Sequence, residues 1–156
     1  MKIDIFNRYR MSFYISRTEK RYGVCSPLYK SDKHILLWDF DDTPLIKVID
    51  SLLLVQLSYK LPTIYILESS KNRYHAYCFV SKTLQEIIHI LSCTQEIDLE
   101  YLRLGMVRGY YTLRFSPRKG ETFKLIKTLK SDIPEETSPF DVTINQYYTT
   151  NKGDKN

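Results

Sequence analysis

The sequence predicts a single α+β domain with elements in the order strand, helix, strand, strand, helix, strand. A chain of 156 residues with 43% hydrophobic residues has the length and apolar content of one globular domain. Apolar residues recur at helical spacing in two segments. Around those segments, short β-branched and aromatic runs are typical of strands.

The elements follow one another from the first apolar run onward. That run, at 35–40, ends at turn-forming residues, which predicts a buried strand at 34–41. Helical spacing then predicts an amphipathic helix at 45–59 with Thr43 as its cap. The remaining elements are strands at 62–67 and 73–80, a helix at 83–91 and a strand at 110–115, with weaker strand patterns at 123–129 and 141–148. This order is that of the ferredoxin-like βαββαβ unit, with both helices on one sheet face and the other face open.

Composition and charge narrow the class of protein. The 23 Lys and Arg residues outnumber the 18 Asp and Glu residues, and the resulting net charge of +5 permits a polyanionic partner but also simply keeps a protein soluble. The 3 cysteines share no CxxC spacing, which argues against a disulfide framework or zinc ribbon and favours a reducing, cytoplasmic location. No apolar run is long enough for a bilayer, so no membrane partner is expected. One domain at 1–148 and a polar, disordered tail at 149–156 are predicted.

Two aspartates at the end of the first core strand are candidate metal ligands. Side chains alternate along a strand, so Asp39 and Asp41 share one face while Trp38 and Phe40 point to the helices. Adjacent carboxylates repel each other, and a bound divalent cation removes that repulsion. Hard oxygen ligands suit Mg²⁺ or Mn²⁺. The alternative is that the aspartates end the strand and cap the next helix.

A polar turn at 69–72 joins the two strands of the predicted hairpin. Its hydroxyls, amides and lysine offer donors and positive charge to an anion, and a strand histidine follows. A candidate cradle for nucleotide phosphates therefore comprises Ser69, Ser70, Lys71 and His75. The alternative for His75 is an ordinary strand residue that is hydrogen-bonded to a neighbour.

The last predicted strand carries Arg114 on the face that it shares with Thr112 and Ser116. From a half-buried strand, Arg114 would project onto the open face near the aspartates, either toward a ligand or into an ion pair with one of them. Basic residues continue beyond it and form either a track for a nucleic-acid backbone or a solvated surface. They are Arg118, Lys119, Lys124, Lys127 and Lys130.

Three motifs together resemble the catalytic core of archaeo-eukaryotic primases and primase-polymerases. They are W-D-F-D at 38–41, S-S-K-N-R-Y-H at 69–75 and L-R-F-S-P-R-K at 113–119. In that family a hydrophobic strand ends in DxD or DxE, and a turn carrying Ser leads to a strand His. A later strand supplies a carboxylate and an Arg, and all lie on an RRM-like sheet.

The resemblance implies a DNA-dependent nucleotidyltransferase that synthesises or extends primers on single-stranded DNA in replication, with Mg²⁺ or Mn²⁺. Nucleoside triphosphates and a single-stranded template would be its ligands, and a helicase or another replication subunit its partner. A small member of this family would suit a virus, phage or plasmid replication system, and its location would then be the host cytoplasm.

Residue roles carry over from the matching motif positions. The resemblance assigns metal binding to Asp39 and Asp41, catalysis to Asp39, Asp41 and His75, and nucleotide binding to Ser69, His75, Arg114 and Lys119. Ser70 and Lys71 join the nucleotide-binding set because they belong to the polar turn, although the family usually has glycine at the position of Ser70. Asp98 is chosen as the third metal-binding carboxylate. For the third carboxylate, Asp42 and Glu100 compete with Asp98.

Two other functions fit the same predicted fold. An RRM-like single-strand binder without catalysis would use Tyr77 and Phe79 as base-stacking aromatics. Another metal-dependent phosphoryl-transfer enzyme, such as a nuclease or a nucleotide cyclase, would keep the metals. Asp39 and Asp41 disfavour the binder, because bare carboxylates on the open face repel phosphates.

Overall fold

Backbone hydrogen bonding in the computed structural model defines the elements of the chain over the residues that it describes, namely 2–5, 9–12, 18–116 and 122–150. The strands are β1 (Lys2–Ile5), β2 (Tyr9–Ser12), β3 (Thr18–Leu28), β4 (His34–Phe40), β5 (Ile64–Ser70), β6 (Arg73–Lys82), β7 (Thr112–Arg114), β8 (Lys124–Leu129) and β9 (Val142–Thr150). The helices are α1 (Leu45–Tyr59), α2 (Leu84–Ser92) and α3 (Leu99–Arg108), and a 3₁₀ turn at Pro139–Asp141 precedes β9.

Most strands join one antiparallel sheet, so the fold is α+β as predicted. The sheet order is β7-β3-β4-β6-β5-β8, and β9 pairs with β3, while β1 and β2 form a separate pair. β6 lies between β4 and β5, as the predicted order requires. A ferredoxin-like order would also place the strand at 110–115 beside the first core strand, but β3 stands between β4 and β7.

The prediction missed β3 and α3, and both affect the site. β3 begins with a run of charged residues at 19–21 and contains Gly23 and Pro27, and glycine and proline are unusual within an inner strand. Pro27 lies where the pairing of β3 with β9 shifts register, and an irregularity of this kind tolerates proline. α3 does carry helix signals, because Asp98 caps its first turn and Gly109 ends it at a φ of 78°.

The main core lies between the sheet and helices α1 and α2. Trp38 and Phe40 are completely buried on the helix side, as predicted, and pack in one cluster with Val48 and Leu52 of α1. The buried indole N–H of Trp38 donates a 3.0 Å hydrogen bond to the hydroxyl of Thr94, so its one polar atom is satisfied. Burial of Trp38 and Phe40 on this side directs Asp39 to the other side of β4.

The opposite sheet face is less open than predicted. Ile35 and Leu37 are completely buried there in a second apolar cluster, together with Leu28 of β3 and Leu113 of β7. The prediction of an open face is therefore wrong for this half of the sheet. Unpredicted elements supply much of this cluster, because Leu28 and Val24 of β3 and Tyr101 of α3 pack in it with Ile35 and Leu37.

The C-terminal strand extends beyond the predicted domain end. β9 pairs with β3 as far as Thr149 and Thr150, opposite Glu19 and Thr18, so the predicted tail begins two residues too early. The prediction stopped the strand at residue 148 because the residues that follow are polar, whereas strand pairing is made by backbone groups. Residues 151–156 lie outside the described residues. None of the described helices combines the length and apolarity needed to cross a membrane.

Candidate active site

Strand register places Asp39 opposite His75. Asp39 on β4 pairs with His75 on β6, and His75 pairs in turn with Leu67 on β5. Asp39 Oδ1 lies 3.5 Å from His75 Nε2, and 24% of the Asp39 side chain and 7% of the His75 side chain are exposed. The first carboxylate and the strand histidine, which the sequence assigns to one site, are therefore in direct contact.

The Asp39 carboxyl lies in an unfavourable electrostatic environment. Its pKa is raised from 3.8 to about 7, first by burial and then by the negative charges of Asp41 and Asp98. The guanidinium groups of Arg73 and Arg114 lower the pKa without cancelling this effect. Three carboxylates therefore lie close enough to repel one another, and the pKa of the partly buried Asp39 is raised in part by this repulsion.

His75 is a neutral, enclosed base. Burial, followed by the positive charge of Arg114, lowers the pKa of His75 to about 4. Its Nδ1 atom is buried and has no hydrogen-bond partner among the described residues. The Phe123 ring covers it at 5.6 Å between centroids, and the Arg114 guanidinium lies 5.4 Å from the centre of that same ring. In this arrangement His75 contacts Asp39 through Nε2, and only 7% of the His75 side chain is exposed.

Asp41 follows the last residue of β4 and is more accessible. Its side chain is 40% exposed, and Arg73 Nε lies 3.7 Å from Asp41 Oδ1 and 3.8 Å from Asp42 Oδ1. The Thr43 hydroxyl donates to the Asp41 carbonyl at 3.0 Å, so the prediction that Thr43 caps α1 is wrong. Pro44 takes the cap position, and α1 has no side-chain cap at all. Asp39 and Asp41 therefore do not cap α1, the helix that follows them.

Asp98 reaches the site from α3. Its backbone N–H donates to the Asp39 carbonyl at 2.9 Å, and its Oδ1 accepts hydrogen bonds from the backbone N–H groups of Glu100 and Tyr101. One oxygen of Asp98 therefore caps α3 while its charge raises the pKa of Asp39. Of its competitors, Asp42 is 82% exposed on a left-handed turn, and Glu100 lines a cavity of about 210 Å³ that Asp39 and Asp98 also line.

The predicted phosphate cradle is a two-residue turn with the strand end that precedes it. Ser69 and Ser70 are the last residues of β5, so Lys71 and Asn72 alone form the turn, with Asn72 at a φ of 57°. Ser69 is buried, and its hydroxyl donates to the Arg73 carbonyl at 3.3 Å. The two serines and Lys71 line a common pocket of about 270 Å³. The structure thus brings the predicted hydroxyls and ammonium together, beside the strands that carry Asp39 and His75.

Arg114 lies near the aspartates, where the sequence predicts it. It is the last residue of β7, and its Nη1 donates to the Ser116 carbonyl at 2.7 Å. Its charge lowers the pKa of both Asp39 and His75, which places it within electrostatic reach of the pair. Lys119, predicted to approach nucleotide or template, lies outside the described residues.

The residues around Asp39 fit a divalent cation in part. Within the described ranges, no group of three or more His, Cys, Asp and Glu side chains is arranged to hold a metal ion. Asp39 and Asp41 nevertheless form a donor set that suits Mg²⁺ or Mn²⁺, because magnesium in proteins binds through one or two carboxylates plus waters and substrate phosphates. The raised pKa of Asp39 marks a repulsion that such a cation would relieve.

Two aromatic residues of the site were missed from the sequence. Tyr101 is the third residue of α3; its hydroxyl donates to the Leu37 carbonyl at 3.0 Å, and burial and the Asp39 charge raise its pKa. The cap residue Asp98 was a signal that would have predicted α3. Phe123 has no comparable local signal, because its contact with His75 depends on the pairing of β8 with β5.

Comparison with models of known protein families, with curated proteins and with solved structures finds no match for this chain.

Proposed function

We propose that this chain is a metal-dependent nucleotidyltransferase of the primase or primase-polymerase type. Its substrates would be nucleoside triphosphates, and its template single-stranded DNA. One observation carries the proposal: Asp39 and Asp41 emerge at the end of a central strand, and Asp39 contacts a buried neutral His75. Carboxylates with a raised pKa in a recess are a frequent feature of catalytic sites.

An RRM-like core is part of this proposal. β4, α1, β5, β6 and α2 follow the order of such a core, and β6 lies between β4 and β5. The two helices pack on one sheet face, and Asp39 and His75 lie on the other. In this interpretation β3, β9 and α3 are additions to the core.

The residues around Asp39 would divide the work of nucleotidyl transfer. Asp39 and Asp41 would hold the cation, and His75 would position the Asp39 carboxylate. When bound, Mg²⁺ or Mn²⁺ would neutralise phosphate charge and lower the pKa of the attacking hydroxyl. The new bond would join the 3′-oxygen of the primer to the α-phosphorus, and the bond to the β-phosphate oxygen would break to release pyrophosphate. Arg114 would add positive charge near these phosphates.

A single-strand binder without catalysis is the second candidate. Tyr65 and Phe79 lie 5.9 Å apart between ring centroids and line an apolar groove of about 610 Å³ together with Phe115. Tyr65 and Phe79 are half-buried and Phe115 is exposed, and aromatic rings that line an open groove can stack on bases. Tyr77, however, is only 8% exposed, which leaves little of its ring for a base.

Nucleotide incorporation separates the two functions. The assay uses single-stranded DNA with and without an annealed primer, in Mg²⁺ and in Mn²⁺, and compares the wild type with Asp39→Asn/Asp41→Asn. The control is Asp50→Asn, an exposed residue of α1 on the helix side of the sheet. Metal-dependent synthesis should fall by at least about a hundredfold in the double variant and stay unchanged in the control.

The other results reject the proposal in different ways. Synthesis that survives in the double variant would remove the two aspartates from catalysis. If the wild type incorporates no nucleotide under any condition but binds single strands as tightly as the double variant does, the binder replaces the enzyme. A primer requirement would distinguish extension from de novo priming.

A further inference from the structure

We propose that the pocket between the β5–β6 turn and the start of β8 binds phosphate oxyanions, with Thr122 and Lys124 as ligands. Neither residue belongs to the motifs that point to nucleotide chemistry. The proposal rests on the proposed function, since it states where the phosphate groups of a substrate or template would be held.

The pocket is built from two neighbouring strands. β5 and β8 are paired, with Glu68 opposite Lys124, so the end of one strand lies beside the start of the other. The residues around the cavity of about 270 Å³ are three hydroxyl residues, two lysines and one glutamate. They are Ser69, Ser70, Thr122, Lys71, Lys124 and Glu68.

The charges and donors of this pocket suit an anion. Lys71 and Lys124 contribute two ammonium groups against the single carboxylate of Glu68, so the lining is positive by one charge. Neither lysine forms an ion pair with a described side chain. Hydrogen bonds from ammonium and hydroxyl donors to phosphate oxygens are stronger than neutral ones. An anion would also relieve the repulsion between the two ammonium groups.

Glu68 is the one carboxylate of this lining, and its position opposite Lys124 makes the two residues direct cross-strand neighbours on the same side of the sheet. It also lies opposite Tyr74, whose side chain is buried in the main core on the helix side of the sheet. Glu68 therefore offsets part of the charge of Lys124, and Lys71 leaves the lining positive. The pairing of β5 with β6 shifts register between Glu68 and Ser70, where the Ser69 hydroxyl donates to the Arg73 carbonyl.

The pocket lies within reach of a ligand bound at Asp39. β4, β6 and β5 are consecutive in the sheet, with Asp39, His75 and Leu67 in register, and Ser69 is two residues beyond Leu67. Two strand spacings across and two residues along give a separation of roughly 12 Å between the backbones at Asp39 and Ser69.

A binding assay without metal ions measures phosphate binding at this pocket separately from metal-dependent binding at Asp39 and Asp41. Inorganic triphosphate and a single-stranded oligo-dT are titrated into the full chain in EDTA at constant ionic strength, for the wild type, Lys124→Ala and Thr122→Val. The matched control is Lys60→Ala, which removes the same charge from an exposed residue at the end of α1, outside every candidate binding site. Both Lys124 and Thr122 are exposed, and thermal melts check that the variants fold.

The expected result is a loss of about tenfold in triphosphate affinity for Lys124→Ala, against less than about twofold for Lys60→Ala. A tenfold loss for the oligonucleotide alone would keep the pocket and identify its ligand as a phosphate of the strand. Equal losses in Lys124→Ala and Lys60→Ala for both probes would overturn the proposal, as would binding of neither probe by the wild type.

The two proposals can fail separately. If triphosphate binds through Lys124 but the wild type incorporates no nucleotide, the phosphate-binding pocket is supported and the nucleotidyltransferase proposal is rejected. If incorporation proceeds in Lys124→Ala with an unchanged KM for nucleotide and unchanged triphosphate affinity, the pocket is rejected and the nucleotidyltransferase proposal is supported.

Discussion

Replacing Asp39 by asparagine should stabilise the folded protein at alkaline pH. The pKa of Asp39 is raised from 3.8 to about 7, mainly by burial and then by Asp41 and Asp98. A shift of about 3 pKa units corresponds to about 4 kcal/mol of preference for the neutral form. Asparagine has nearly the same shape and no charge. Because 24% of the Asp39 side chain is exposed, the expected gain in unfolding free energy at pH 8 is about 2 to 4 kcal/mol.

The sign of the pH dependence follows from proton binding. Between pH 3.8 and about pH 7, the native state holds a proton on Asp39 that the unfolded state has lost. Stability of the wild type therefore falls as pH rises through this window, whereas the variant lacks this loss. The difference between the two proteins should be near zero below about pH 4 and complete above about pH 7. His75, whose pKa is lowered to about 4, titrates in both proteins and contributes the opposite trend below pH 6.5.

Urea unfolding at pH 4, 6 and 8 measures this difference, with the fluorescence of the single, fully buried tryptophan, Trp38, as the probe. Asp50→Asn on the exposed side of α1 is the control and should stay within about 0.5 kcal/mol at each pH. A gain below about 0.5 kcal/mol at pH 8, or a gain as large at pH 4 as at pH 8, would refute the electrostatic account. Saturating Mn²⁺ at pH 8 should stabilise the wild type more than the variant, because Asp39 is a proposed ligand.

Two substitutions test the packing that supports the site. Gly105→Ala should destabilise the fold by about 1 to 3 kcal/mol, because a β-carbon at this position of α3 would collide with the buried Tyr111 ring. Urea unfolding should show no such loss for the exposed neighbour in Met106→Ala, and an equal loss would contradict the collision. Gln56→Met should lower stability by about 2 to 4 kcal/mol, because the buried Gln56 amide donates to the carbonyls of Pro62 and Leu129 at 2.9 and 3.0 Å. The exposed Gln85→Met is its control, and a melting temperature that falls equally in both would show that the two hydrogen bonds do not matter.

Local patterns in the sequence were sufficient for several elements. Helical spacing predicted α1 and α2, and alternation predicted that Trp38 and Phe40 face the core while Asp39 faces away. These features depend on residues a few positions apart, so the sequence contains the information that determines them. The same alternation predicted that Asp39 and Asp41 share one face, and the family resemblance assigned His75 to their site.

Features that depend on pairing between distant parts of the chain were decided only by the tertiary structure. β3 is 11 residues of largely polar sequence, and it becomes an inner strand only because β4, β7 and β9 supply its hydrogen-bond partners. Its residues Leu28 and Val24 pack in the cluster that buries Ile35 and Leu37 on the face predicted to be open. Phe123 covers His75, and Asp98 approaches Asp39, through contacts between residues 48 and 59 positions apart in the sequence. No local periodicity encodes such contacts, because they depend on how separate strands and helices assemble.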